Sequence, residues 1–310
     1  MMYLRRKVNF LIGFLHFLLK SNHLFPKARF DCRNFRAQLL NTAKLKNIAG
    51  REMEQDYYKA YYHLERKHWW FLVRKKIIAE RIRTLLRNPA NLQSLNVGAA
   101  TGATSDMLTE FGSVMSIEYD ATCTEFAKTY MTTPIEQGSI LGLPYEANQY
   151  DLVTALDVIE HVEDHQLAVQ ELWRVCKPGG HIVITVPAYS FLWSEHDVIN
   201  HHFRRYTLNE LIALFQHLPG KLIYKTYYNS FLFIPIAAYR LLLNGWKKWQ
   251  GKAGKSTIKY DYEILGTEGW INKLLSGIFH IDYYLMKNGI RFPAGVSIML
   301  FFQKENKNTS

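Results

Sequence analysis

Two spacings of apolar positions alternate along most of this chain. From Asp56, the residues Tyr57, Tyr58, Tyr61, Tyr62 and Leu64 recur at helical intervals. A second helix is expected from about His68 to Leu86. It should stop ahead of Asn88-Pro89, because the residue before a proline is pushed out of the helical region. Strands and helices then take turns. Strands are expected at Leu92–Val97, Val114–Glu118, near Pro134–Gln137, at Asp151–Leu156 and at His181–Val186. Helices are expected at Thr104–Phe111, Thr122–Tyr130, His165–Cys176 and Leu208–His217, with a turn at Pro178-Gly179-Gly180. Such alternation predicts an α/β protein with a doubly wound, mostly parallel sheet.

The rhythm changes after residue 222. Leu222–Tyr228 reads as a strand, and Ala294–Gln303 as the closing strand. Between them lie an apolar helix over Ser230–Trp249, interrupted by Pro235 and Arg240, a lysine-bearing loop over 250–259, and a helix over about Trp270–Lys287. About 65 residues is long for a connection, so this segment reads as a helical insertion or lid. The expected organisation is a basic extension over 1–52, N-terminal helices over 53–90, a core over 91–229, the insertion over 230–293, and a closing strand over 294–304.

Composition adds bounds. The 310 residues are 48% hydrophobic and 14% aromatic, enough for a packed core and against global disorder. The net charge is +11, but residues 1–50 hold ten Lys/Arg against one acid, Asp31. The rest of the chain is nearly balanced, so no nucleic-acid partner is expected. Three cysteines, Cys32, Cys123 and Cys176, form no disulfide or zinc pattern, and a cytoplasmic location is expected. Arg5-Arg6-Lys7 precedes an apolar run over Val8–Leu19 that is too short to span a bilayer and lacks a cleavage site. A surface-lying amphipathic anchor and translation from Met53 are two further readings, and no function is assigned to 1–52.

The chemistry-bearing segment is Asn96-Val97-Gly98-Ala99-Ala100-Thr101-Gly102, between a strand and a helix. Small residues allow close backbone approach to a ligand, and a helix start offers free N–H groups. Glu118 stands twenty residues beyond Gly98, at the end of the second strand. An acid there accepts hydrogen bonds from both ribose hydroxyls of a nucleoside. A tight turn with a surface Glu is the structural alternative. A dinucleotide site wants glycine at 98, 100 and 103, and two of those positions are alanine. The 98/100/102 spacing fits a methyltransferase turn better.

From residue 68 to 303 the chain resembles class I S-adenosylmethionine-dependent methyltransferases, specifically the bacterial type 11 group. The run LPYEANQYDLVTALDVIEHVEDHQLAVQELWRVCKPGGHIVITVP looks like their central region, and RFPAGVSIMLFFQK like their antiparallel last strand. The Glu-His of Ile159-Glu160-His161 is similar to that of ubiquinone-type O-methyltransferases. The resemblance implies a seven-stranded sheet and S-adenosyl-L-methionine as cofactor. It implies cofactor contacts from Asn96, Gly98, Ala100, Gly102, Glu118, Ser139 and Asp157. The family usually has an acid at Asn96, glycine at Ala100 and aspartate at Ser139.

Methyl transfer is an in-line displacement, so positioning of the nucleophile carries much of the effect. His161, at the carboxyl edge of strand four, is the candidate base or orienting residue. Bracing the following helix is its structural alternative. His196, His201, His202, Arg205 and Tyr206 are expected to shape the acceptor pocket. The spacing of His196, Asp197, His201 and His202 also admits a metal, but none is assigned. Arg204 to Tyr206 suit an anionic acceptor, or simply lead into a helix capped by Thr207 and Glu210. Trp69, Trp70 and Phe71 could cover the cofactor or pack in the core. The expected function is methyl transfer to an oxygen of a small or lipid-linked acceptor, with peripheral membrane contact as a further possibility. The rivals are a Rossmann oxidoreductase and a non-catalytic binding module. Oligomeric state is not legible.

Overall fold

The computed structural model describes residues 57–87, 89–249 and 269–306. The basic extension over 1–52 and the lysine-bearing loop over 250–259 lie outside them. The elements, in chain order, are α1 (57–67), α2 (Trp69–Leu85), β1 (Leu92–Val97), α3 (Ala103–Leu108), β2 (Gly112–Glu118), α4 (Ala121–Tyr130), β3 (Ile135–Gln137) and β4 (Tyr150–Leu156). They continue with α5 (His165–Val175), β5 (Cys176–Pro187), α6 (Glu195–Ile199), α7 (Leu208–Ala213), β6 (Gly220–Tyr228), α8 (Phe233–Trp249), α9 (Trp270–Lys287) and β7 (Ser297–Lys304).

The seven strands form one sheet in the order β3-β2-β1-β4-β5-β7-β6. The first five are parallel to their neighbours, as Val97↔Ala155 and Val153↔Ile182 illustrate. β7 enters antiparallel between β5 and β6. The strands β4 and β5 are apolar in continuous runs because helices cover both faces. On one face, α5 lays Ala168, Val169, Leu172 and Val175 against Leu95, Val153 and Ile184. Its start is fixed by Asp164, whose carboxylate accepts from the Leu167 N–H at 2.9 Å. On the other face, Val73, Ile77, Ile78 and Ile82 of α2 meet Leu152, Val183 and Phe301.

The insertion docks on that second face through α9. Phe279 is fully buried, stacked on Tyr228 and edge-on to Trp69. The Asn272 side-chain oxygen accepts from the Trp69 N–H at 3.0 Å. Trp69 is therefore a core residue, while Trp70 covers the Arg74 guanidinium at 4.9 Å. Among the described residues, no helix is long and apolar enough to cross a membrane.

Several boundaries differ from the periodicity reading. α8 begins at Phe233, so Pro235 falls in its first turn, where a missing N–H costs nothing. α7 ends at Ala213 and continues only as turns. β5 starts at Cys176 and runs through Pro178-Gly179-Gly180, absorbing the expected turn as an irregularity opposite β4. His196 and Asp197 lie in the short helix α6, not in a loop, because Ser194 and Asp197 form a capping box.

His68 caps α2, its ring nitrogen accepting from the Trp70 N–H at 3.3 Å. Burial lowers its pKa from 6.5 to about 4. Between those values the unfolded chain takes up a proton that the folded chain refuses. Stability is therefore full above pH 6.5 and falls as the pH drops toward 4. Urea unfolding near pH 7.5 and near pH 5 should show His68→Asn losing about 2 kcal/mol less than the parent chain over that interval, since asparagine caps without titrating.

Candidate active site

The loop after β1 is built from backbone conformations that side chains resist. Gly98, Ala100 and Gly102 all have positive φ, at 71°, 48° and 92°. At Gly98 a Cβ would come within 2.5 Å of Val158 Cγ2, so the loop after β1 sits directly against the segment after β4. The Gly98 and Ala99 N–H groups donate to the Ile117 carbonyl at 2.8 and 3.1 Å, continuing the β1–β2 pairing into the loop.

Glu118 closes the arrangement. One carboxylate oxygen accepts from the Ala100 N–H at 2.9 Å and the other from the Asp120 N–H at 3.0 Å. Each oxygen has a second acceptor position left, so the carboxylate can take two more donors. Beside it opens a cleft of about 480 Å3 lined by Tyr119, Asp120, Ala121, Gln137, Gly138 and Ser139. The Ser139 hydroxyl accepts from the Leu141 N–H at 3.2 Å. Tyr119, 76% exposed, was not singled out from the sequence. An aromatic residue directly after the strand-ending acid was the available signal. A larger surface depression, about 630 Å3, is lined by Gln166, Leu167, Trp173 and His217 among others, and by no expected site residue.

Beneath the loop runs a buried polar ladder. Asn96 donates to Ser105 Oγ at 2.9 Å and accepts from Thr154 Oγ1 at 2.9 Å, and Ser105 meets Ser116 Oγ at 2.8 Å. The Asn96 side chain is thereby directed into the sheet and holds β1, β4 and α3 together. From the other side, α1 grips the loop. Thr101 Oγ1 donates to the buried Glu65 carboxylate, and Arg66 reaches the Thr101 carbonyl at 3.3 Å and Asp106 at 2.7 Å. Burial raises the Glu65 pKa. Tyr62 of α1 packs on Tyr130 of α4, which locates the clamp. No local motif in the sequence marks Glu65 or Arg66 for this role.

The segment after β4 holds the second half of the site. Asp157, at φ 58°, pairs with the buried Arg74 at 2.5 Å, and both groups meet Thr185 Oγ1 at 3.2 Å. Glu160 is fully buried, and neither carboxylate oxygen has a hydrogen-bond partner. Burial and the nearby Asp157 push its pKa well above the ordinary carboxylate value. His161 crosses His202 edge-on with ring centroids 4.5 Å apart. His161 is exposed, yet desolvation by the surrounding protein and the neighbouring His202 lower its pKa to about 4. It is neutral near pH 7.

The residues expected to shape an acceptor pocket divide. His202 is brought to Glu160 and His161, with its Nδ1 2.8 Å from Asp197. Arg205 is buried and gives both ends of its fork to Asp197, at 2.8 and 3.0 Å. Its charge is thus neutralised internally. Burial opposes ionisation of Asp197, but His202 and Arg205 overcome that and hold its carboxyl far below the usual range. Tyr206 is buried, its hydroxyl 2.8 Å from His165 Nδ1. His196 bonds Asn200 at 2.9 Å, and His201 is exposed at φ 58°.

The two halves face the same crevice. β1 pairs with β2 on one side and β4 on the other, so the chain's strand order reverses there, and ligands of open α/β sheets bind outside the carboxyl ends of the strands at that point. Ala100 is the strained member, since a residue with a Cβ costs about 1–2 kcal/mol in this left-handed conformation. Ala100→Gly should therefore raise the unfolding free energy by about 0.5–1 kcal/mol in urea titrations. Unchanged or lower stability would mean the loop does not hold that φ.

Part of the chain is similar to known proteins. Residues 95–184 match the model of a methyltransferase domain. A protein named "Probable S-adenosylmethionine-dependent methyltransferase" from Mycolicibacterium smegmatis is 29% identical over 126 residues, 40% of this chain and 48% of that one. The demethylmenaquinone methyltransferase of Shouchella clausii is 28% identical over 120 residues, 34% of this chain and 51% of that one. The norajmaline N-methyltransferase of Rauvolfia serpentina is 45% identical over 47 residues, 15% of this chain and 16% of that one. The chain spans about half the length of the first two of these relatives. The solved YcgJ protein of Bacillus subtilis aligns over 74% of this chain and 98% of its own, at 16% identity and a TM-score of 0.46. The matched region, residues 95–184, runs from β1 into β5 and contains the small-residue turn and Glu118, and it is over this region that the chain is similar to S-adenosylmethionine-dependent methyltransferases.

Proposed function

We propose that this chain binds S-adenosylmethionine over the carboxyl ends of β1 and β2 and transfers its methyl group to an oxygen of a small or lipid-linked acceptor. The observation that carries the reading is the Glu118 carboxylate. It is tied to the glycine loop on one side, bounded by the Tyr119–Ser139 cleft on the other, and left with acceptor capacity for two hydroxyls. Glu118 would take the ribose hydroxyls, while Tyr119 and Ser139 border the base. The backbone from Gly98 to Gly102 would lie against the methionine part. The cofactor supplies an electrophilic methyl group on a sulfonium sulfur.

Acceptor positioning falls to the segment after β4. His161 is neutral and exposed, so its ring can accept a hydrogen bond from an acceptor hydroxyl and orient it. The insertion favours an apolar acceptor or a membrane surface. Ile234, Tyr239, Leu242, Trp270, Leu274 and Tyr284 all present exposed side chains there. Several relatives are named demethylmenaquinone methyltransferase, and one norajmaline N-methyltransferase.

Calorimetric titration of the full chain tests the first step. S-adenosylmethionine should give a saturable heat with one site per chain, NAD should give none, and Glu118→Ala should weaken binding at least tenfold. That loss corresponds to the ~1.5–3 kcal/mol of a hydrogen bond to a charged group. No heat with S-adenosylmethionine in a chain that melts cooperatively would sink the proposal.

A further inference from the structure

We propose that Glu160, His161 and His202 form a binding site for one divalent first-row transition ion, such as Zn2+ or Mn2+, on the acceptor side of the cleft. One ligand atom from each residue lies within 4.8 Å of those of the other two. The donors are two imidazoles and one carboxylate, a set that suits such ions and leaves coordination positions open.

Three observations point to a ligand there rather than to a chance cluster. First, Glu160 is fully buried and both its oxygens lack a hydrogen-bond partner, although buried carboxylates are almost always paired. An ion supplies the missing partner. Second, His202 is held from behind. Its Nδ1 meets Asp197 at 2.8 Å, and Asp197 is itself fixed by the Arg205 fork and by the Ser194 N–H at 2.8 Å. A carboxylate behind a histidine ring is how ligating imidazoles are oriented, and it leaves the other ring nitrogen to serve as the ligand. Third, the cations nearest the cluster are already neutralised. Arg205 is paired with Asp197 and Arg74 with Asp157, so neither repels an incoming ion.

The three ligands come from two separated segments. The turn after β4 supplies Glu160 and His161, and the stretch after α6 supplies His202. The Phe203 N–H donates to the Glu160 carbonyl at 2.7 Å and ties the two segments at the site. Because Val158 packs against Gly98, the ion would sit next to the cofactor loop. With His161 coordinated, the open positions of the ion, in place of the His161 ring, would take an oxygen of the acceptor. That last assignment rests on the methyl-transfer reading, but the ion site itself does not.

The test uses the full chain, stripped with a chelator, dialysed, and titrated with Co2+ in the absence of any cofactor. Visible d–d absorption should saturate at one equivalent per chain. Glu160→Gln, nearly the same size as the parent residue, should weaken binding at least tenfold, and His202→Ala should do the same. Asp197→Asn, which removes the orienting charge, should weaken it about 10–100-fold. His217→Ala, an exposed histidine elsewhere, should leave it unchanged. A cooperative melt of each variant accompanies the titration, and if His202→Ala fails to fold, Glu160→Gln decides. Absence of Co2+ binding in the folded parent would overturn the site, as would full retention in Glu160→Gln. A separate calorimetric titration with S-adenosylmethionine keeps the two questions apart. Cofactor binding without Co2+ binding removes the ion alone, and Co2+ binding without cofactor binding removes the methyl-transfer reading alone.

Discussion

A hydrogen bond of 2.9 Å from the Ala100 N–H to Glu118 holds the loop after β1 in place. Ala100 sits at φ 48°, where a side chain crowds its own backbone. The conformation persists because its surroundings over-determine it. Glu118 anchors it from β2, the Asn96–Thr154–Ser105 ladder supports it from below, and Glu65 and Arg66 hold Thr101 from α1. The carboxylate that fixes the loop is also the one offered to a nucleoside. Loop shape and the proposed cofactor contact therefore share a single side chain.

The opposite bank of the crevice is organised by paired charges. Arg74 with Asp157 and Arg205 with Asp197 each bury a cation against an acid. Pairs of this kind give little net stability, but breaking one leaves an uncompensated buried charge. Here they fix geometry. Arg74 ties α2 to the end of β4, and Asp197 sets the ring of His202. Glu160 is the exception, buried without a partner at the centre of the group.

Much of the fold was legible because it follows from local spacing. Short apolar runs and helical apolar spacing mark nearly every strand and helix of the core. Boundaries slipped where tertiary or capping effects decide, as at Pro235, which a first turn tolerates, and at Asp197, which caps α6. The candidate site was half legible. Gly98, Ala100, Glu118, Ser139 and His161 face or border the crevice where chain position suggested. The rest depends on contacts far apart in sequence. Glu65 meets Thr101 across 36 residues, and Arg74 meets Thr185 across 111. Arg205, between Arg204 and Tyr206, reads either as an anion grip or as part of a basic lead into the following helix. Only the fold reveals that Asp197 already occupies its guanidinium.

The most direct measurement compares S-adenosylmethionine with analogues lacking a ribose hydroxyl. If Glu118 holds the ribose, the parent chain binds the intact cofactor at least tenfold more tightly, about the value of one charge-assisted hydrogen bond. Glu118→Ala then erases that preference while both ligands bind weakly. Equal affinity of the parent chain for the intact and deoxy forms would contradict the role assigned to Glu118, and with it the cofactor site built on the loop after β1.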